Sequence, residues 1–145
     1  MTQPRRIVLA AAAALLLIPT LSLADPRLDY ILNCQGCHGA DGGGATGAVP
    51  NLRGQMATFL RVPGGREYLV RVPGTSQSEL NDARIAGLLN WMLRQFSPEQ
   101  MPPAFSPYSE AEVARVRRPP LTDVAGVRRQ LVQAIEALDN GAPSH

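Results

Sequence analysis

Lysine is absent from this chain of 145 residues: its 14 basic side chains are all arginine, set against 12 acids. Cysteine and histidine occur twice each, and tryptophan once. No stretch alternates apolar and polar residues as a half-buried strand would, so an all-α fold is expected. The longest apolar run, Ile7 to Ile18, spans twelve residues, whereas a membrane-crossing helix needs about 20. A stable membrane anchor is therefore not expected.

The short run reads instead as the core of an export signal. Arg5 and Arg6 supply the charged start, and Ser22-Leu23-Ala24 is a small-x-small cleavage site. Cleavage after Ala24 places the chain in the periplasm and leaves 145 − 24 = 121 residues, enough for one core. Arg5 and Arg6 leave with the signal, so the remaining 12 arginines balance 12 acids. That balance does not suggest a basic nucleic-acid-binding surface.

What is present is concentrated in Cys34-Gln35-Gly36-Cys37-His38. Two cysteines three apart, followed at once by histidine, form the attachment sequence for a c-type haem. Each thiol can bond one haem vinyl group, and the histidine then stands under the iron. A zinc site needs about four ligands, and the only other histidine is His145 at the end of the chain. A redox dithiol belongs after a strand, and none precedes Cys34. A disulfide over so short a loop would stabilise little. The cofactor expected is thus one covalent haem c, which consumes both cysteines.

Asp25 caps a first helix with Pro26 in its first turn, and Leu28, Ile31 and Leu32 give that helix an apolar side. A glycine-rich loop, Gly39 to Gly47, joins the haem motif to Pro50-Asn51-Leu52-Arg53-Gly54. A short amphipathic piece covers about Arg66–Val72. The strongest periodicity predicts a helix over about Asp82–Phe96, capped by Asn81, with Ile85, Leu88, Leu89, Met92 and Phe96 as its buried stripe. Ser109-Glu110-Ala111-Glu112 is a capping box, closed off by Pro119-Pro120. A last helix is expected over about Asp123–Asn140, capped by Thr122, with Val124, Val127, Leu131, Ile135 and Leu138 turned to the core.

With these residues in view, the chain resembles a class I c-type cytochrome over about residues 25–118. The resemblance rests on Cys34-x-x-Cys37-His38-Gly39, the glycine loop, Pro50-Asn51-Leu52-x-Gly54, and Tyr30 four residues before Cys34. It implies a small helical domain around one haem, with residues 119–145 as a C-terminal helical extension. It further implies that the Pro50 carbonyl accepts a hydrogen bond from the outer nitrogen of His38 and that Leu52 packs on the haem face. For the sixth iron ligand it implies a methionine from a later loop. Met101, in a proline-stiffened loop 63 residues after His38, has the family spacing. Met56 lies on the His38 side, and Met92 reads as core filler. One departure stands out: the family's last helix brings an aromatic against the first, yet the helix after Met101 offers only Val113 and Val116. Trp91 precedes Met101 and has either another role, such as a propionate hydrogen bond, or a place in an unusual helix arrangement.

The function implied is a periplasmic carrier of single electrons between redox protein partners, a dehydrogenase donor and a cytochrome or oxidase acceptor. It is not expected to be an enzyme. Two alternatives differ in kind. The chain can be the cytochrome subunit of a dehydrogenase complex, with Arg128 and Arg129 as docking surface. Without a methionine ligand it can be a five-coordinate haem protein for peroxide or a diatomic gas, although no histidine is placed for acid-base work.

Overall fold

The computed structural model describes residues 25–141. The expected export signal and His145 lie outside the described residues. Among the described residues there are helices and turns and no strand, only one isolated bridge between Ala45 and Val49. The helices are α1 (Pro26–Asn33), α2 (Gln35–His38), α3 (Gly65–Arg71), α4 (Pro73–Ser76), α5 (Asp82–Phe96), α6 (Glu110–Val116) and α7 (Val124–Gly141). A 3-10 turn occupies Met56–Arg61.

Most ends follow the local chemistry. Asp25 accepts from Arg27 N–H, Asn81 from Arg84 N–H and Ser109 from Glu112 N–H, each filling a donor that the first helical turn leaves unpaired. The last helix differs from expectation: Asp123, not Thr122, caps it, its Oδ1 accepting from Gly126 N–H at 2.8 Å. Asp is the stronger cap, and taking it starts the helix one residue later.

Helix α5 is the spine. One face packs on α1, another on α6, and the stripe Ile85, Leu88, Leu89, Met92 faces a cleft. The α1 contact resolves the Trp91 departure. Tyr30, 1% exposed, lies with its ring 5.5 Å from Trp91 and 5.0 Å from Phe96. The helix that crosses α1 is therefore α5, and Met101 follows the crossing instead of preceding it.

The side that α1 buries is not its apolar one. Leu28, Ile31 and Leu32 are exposed, while Asp29 and Tyr30 are buried. Asp29 can be buried because the Arg84 guanidinium of α5 hydrogen-bonds both its carboxylate oxygens. The aromatic stack and this ion pair together outweigh the aliphatic stripe in setting the rotation of α1.

The segment after α6 is part of the same body. Leu121 N–H donates to Arg71 O at 3.0 Å, and Arg71 Nε to Pro119 O at 3.0 Å. Helix α7 then lies along the 56–61 turn and α3, burying Leu131 and Ile135, with Arg61 paired to Asp139. Leu138, expected in the core, is exposed at the far end of the helix.

Candidate functional site

Helix α1 runs into α2 with a break at Cys34, so both cysteines and His38 fall on one tight turn. Cys37 is exposed and Cys34 partly buried. As free thiols the two differ in setting. Burial, with the nearby charges of Asp29 and Cys37, pushes Cys34 up to about 11. The thiolate is the nucleophile, so the folded chain offers little of it at neutral pH.

Three contacts fix this turn. The Tyr30 hydroxyl donates to Gly39 O at 2.6 Å, Gly44 N–H donates to His38 O at 2.8 Å, and His38 Nδ1 stands 3.1 Å from Pro50 O. A carbonyl can only accept, so Nδ1 carries the hydrogen and Nε2 is left with a free lone pair. That is the tautomer an iron ligand needs, and the hydrogen bond orients the ring.

The glycine loop is ordered here. Leu52 N–H donates to Gly42 O at 2.8 Å, and Ala45 pairs with Val49. Gly44 has φ +69°, and a Cβ there would lie 2.4 Å from Val49 O. Gly44→Ala should therefore cost at least about 1–2 kcal/mol from the left-handed backbone alone. Urea unfolding of the holoprotein measures it, and an unchanged midpoint would show that the loop is not held as described.

Cys34, Cys37, His38, Pro50 and Leu52 line one cleft together. Its other walls are apolar for the most part: Phe59, Tyr68 and Leu69 beside the α5 stripe. Segment 72–78 closes the cleft through Val72, Gly74, Thr75 and Ser78. Nothing in the sequence singled out that segment, because hydroxyl residues in a loop carry no distinctive pattern. Arg128 of α7 also reaches the cleft, with Val124. Its guanidinium lies 5.9 Å from the Phe59 ring centre and donates to Gln55 Oε1 at 3.4 Å.

The methionines are arranged otherwise than expected. Met56 and Met92, both nearly fully buried, line the cleft; Met101 does not. The reason is the course of the chain after α5. The Asn90 side-chain amide accepts from Tyr108 N–H at 2.8 Å and donates to Tyr108 O at 2.9 Å. Arg94 sits over the Phe105 ring at 5.8 Å. Asn90 and Arg94 are each two residues from Met92, hence about 200° round the helix at 100° per residue. The segment that follows Met101 is thus strapped to the face of α5 turned away from the cleft.

An apolar cleft with two cysteines at its mouth and an imidazole oriented to offer Nε2 fits a covalently held haem. The family model for cytochrome c matches residues 29–117. The chain belongs to the cytochrome c family. It is 33% identical over 128 residues to a cytochrome c-552 of Thermus thermophilus, covering 75% of this chain and 86% of that protein. A second cytochrome c-552 from Thermus thermophilus is also 33% identical, over 107 residues, covering 61% of this chain and 82% of its own length. This cytochrome accordingly takes haem c covalently and carries electrons. Among the described residues no helix is long and apolar enough to cross a membrane.

Proposed function

We propose that this cytochrome is a periplasmic monohaem carrier, exported by a signal over residues 1–24, that passes single electrons between redox proteins. Cys34 and Cys37 hold the haem through thioethers and His38 binds iron through Nε2. Pro50 keeps the imidazole in the ligating tautomer, and Leu52 covers the haem face. Arg128, a cation on the cleft wall, fits the haem carboxylates. When bound, the haem supplies a one-electron redox centre.

The remaining residues make that exchange possible. The apolar walls shield most of the haem from bulk solvent, and the fixed turn around His38 limits how far the ligand can move when the charge changes. Both reduce the reorganisation that an electron transfer must overcome. The observation that carries the reading is the 3.1 Å contact of His38 Nδ1 with Pro50 O beside an apolar cleft that both cysteines line. The exposed Leu28, Ile31 and Leu32, just ahead of the attachment turn, support contact with a protein partner.

The test combines attachment with electron exchange. A periplasmic fraction should give a band that keeps haem peroxidase staining on a denaturing gel. Cys34→Ala with Cys37→Ala should abolish the stain, and the purified protein should give a reversible one-electron voltammetric wave. A band whose haem is removed by acid-acetone refutes the covalent site, and a protein without a reversible wave refutes the carrier.

A further inference from the structure

The side of the cleft away from His38 holds a second feature. A second iron ligand would have to approach from the side of the cleft away from His38, and three parts of the cleft wall could supply one. The first is Met56. Its N–H donates to Leu52 O at 3.1 Å, which places it one turn beyond the Pro50–Leu52 segment that supports His38. It therefore belongs to the His38 side.

The second is Met92. It shares a turn of α5 with Trp91 and lies one turn from Phe96. Both aromatics pack on Tyr30, and Phe96 also covers Gly42, where an added Cβ would lie 2.7 Å from the ring. This half of α5 is thus seated against the attachment turn, again on the His38 side.

The third is the wall formed by α3 and residues 72–81. It contains no methionine, histidine, cysteine or lysine. The Tyr68 ring packs 5.0 Å from Phe59, and burial raises its pKa, which keeps the phenol protonated and a poor ligand. Thr75 and Ser78 line the cleft, and the Ser78 hydroxyl donates to Thr75 O at 3.1 Å.

The wall is also locked. Arg117, at the end of α6 and 7% exposed, donates to Ser76 O, Ser78 O and Leu80 O and to Asp82 Oδ1. A segment held at three carbonyls by an arginine that is itself anchored on Asp82 of α5 does not swing out to admit Met101 from behind α5.

We propose that no methionine fills the sixth coordination position of this cytochrome, and that the Thr75–Ser78 wall leaves it to a small exogenous ligand. That ligand is water in the ferric protein and a neutral diatomic molecule in the ferrous protein. The inference rests on the haem reading of Cys34, Cys37 and His38. It turns a closed electron-transfer site into one that electron transfer and ligand binding share. Thr75 and Ser78, beside the Tyr68 phenol, are the polar residues of that wall that line the cleft.

The test uses the purified holoprotein and carbon monoxide as probe. Haem that survives acid-acetone on a denaturing gel checks the covalent site separately from the ligand question. The ferric wild type should then show a high-spin spectrum without the weak sulfur-to-iron band, and the ferrous wild type should bind carbon monoxide fully. Met101→Leu should leave both properties unchanged. Thr75→Val with Ser78→Ala should shift the carbon monoxide stretching frequency. A low-spin ferrous wild type that refuses carbon monoxide, with binding appearing only in Met101→Leu or Met92→Leu, overturns the proposal. A stretching frequency indifferent to the hydroxyl variant overturns the assignment of the wall. Loss of all haem in acid-acetone overturns the reading of Cys34 and Cys37, and the proposal with it.

Discussion

Arg117→Ala should lower the stability of the holoprotein by about 3–5 kcal/mol. The guanidinium is buried and spends its fork on one loop: Nε donates to Ser76 O at 2.9 Å, Nη1 to Leu80 O and Asp82 Oδ1 at 2.9 Å each, and Nη2 to Ser78 O at 2.5 Å. Asp82 is 31% exposed and can be rehydrated once its partner is gone. The cost therefore falls mainly on the three carbonyls, at about 1–3 kcal/mol for each one left buried and unpaired. Arg117→Lys should recover only part of the loss, because a single ammonium cannot reproduce the planar fork. Denaturant titration of wild type and both variants measures the effect. A loss below about 1 kcal/mol, the scale of a surface ion pair, would show that Arg117 does not hold the loop.

Tyr30→Ala should cost about 3–5 kcal/mol, the usual range for deleting a buried aromatic ring. Its ring fills the crossing of α1 and α5 against Trp91 and Phe96, so little is available to collapse into the space. Tyr30→Phe keeps the ring and removes only the 2.6 Å hydrogen bond to Gly39 O. It should cost about 0.5–1.5 kcal/mol. The comparison separates packing from hydrogen bonding. Equal losses in the two variants would mean that the hydroxyl, not the ring, secures the attachment turn.

Much of this architecture was legible in the sequence because it is local. The i, i+3, i+4, i+7 stripe of α5 names its buried face, and Ile85, Leu88, Leu89 and Met92 all lie there. Asn81 and Ser109 cap the helices they precede because an N-cap needs only its next three residues. The attachment motif is five consecutive residues and states its own chemistry.

The rotation of α1 was not legible. Leu28, Ile31 and Leu32 form the better apolar face, yet they are exposed, because Arg84 and the aromatic pair Trp91 and Phe96 wait on the other side. Arg117 looks like any surface arginine until α6 carries it under the loop after α4. The 3-10 turn at 56–61 and helix α4 have no strong periodicity to announce them.

The sequence by itself determined that this chain is helical and that Cys34, Cys37 and His38 share one turn with the spacing of a haem-attachment motif, since both follow from neighbouring residues. Only the tertiary structure decided which methionines approach the cleft. Counting residues placed Met101 at the right separation from His38. But α5 turns 100° per residue, and Asn90 and Arg94 strap the chain after Met101 to the face opposite Met92. Separation along a chain says nothing about the side of a helix on which it returns.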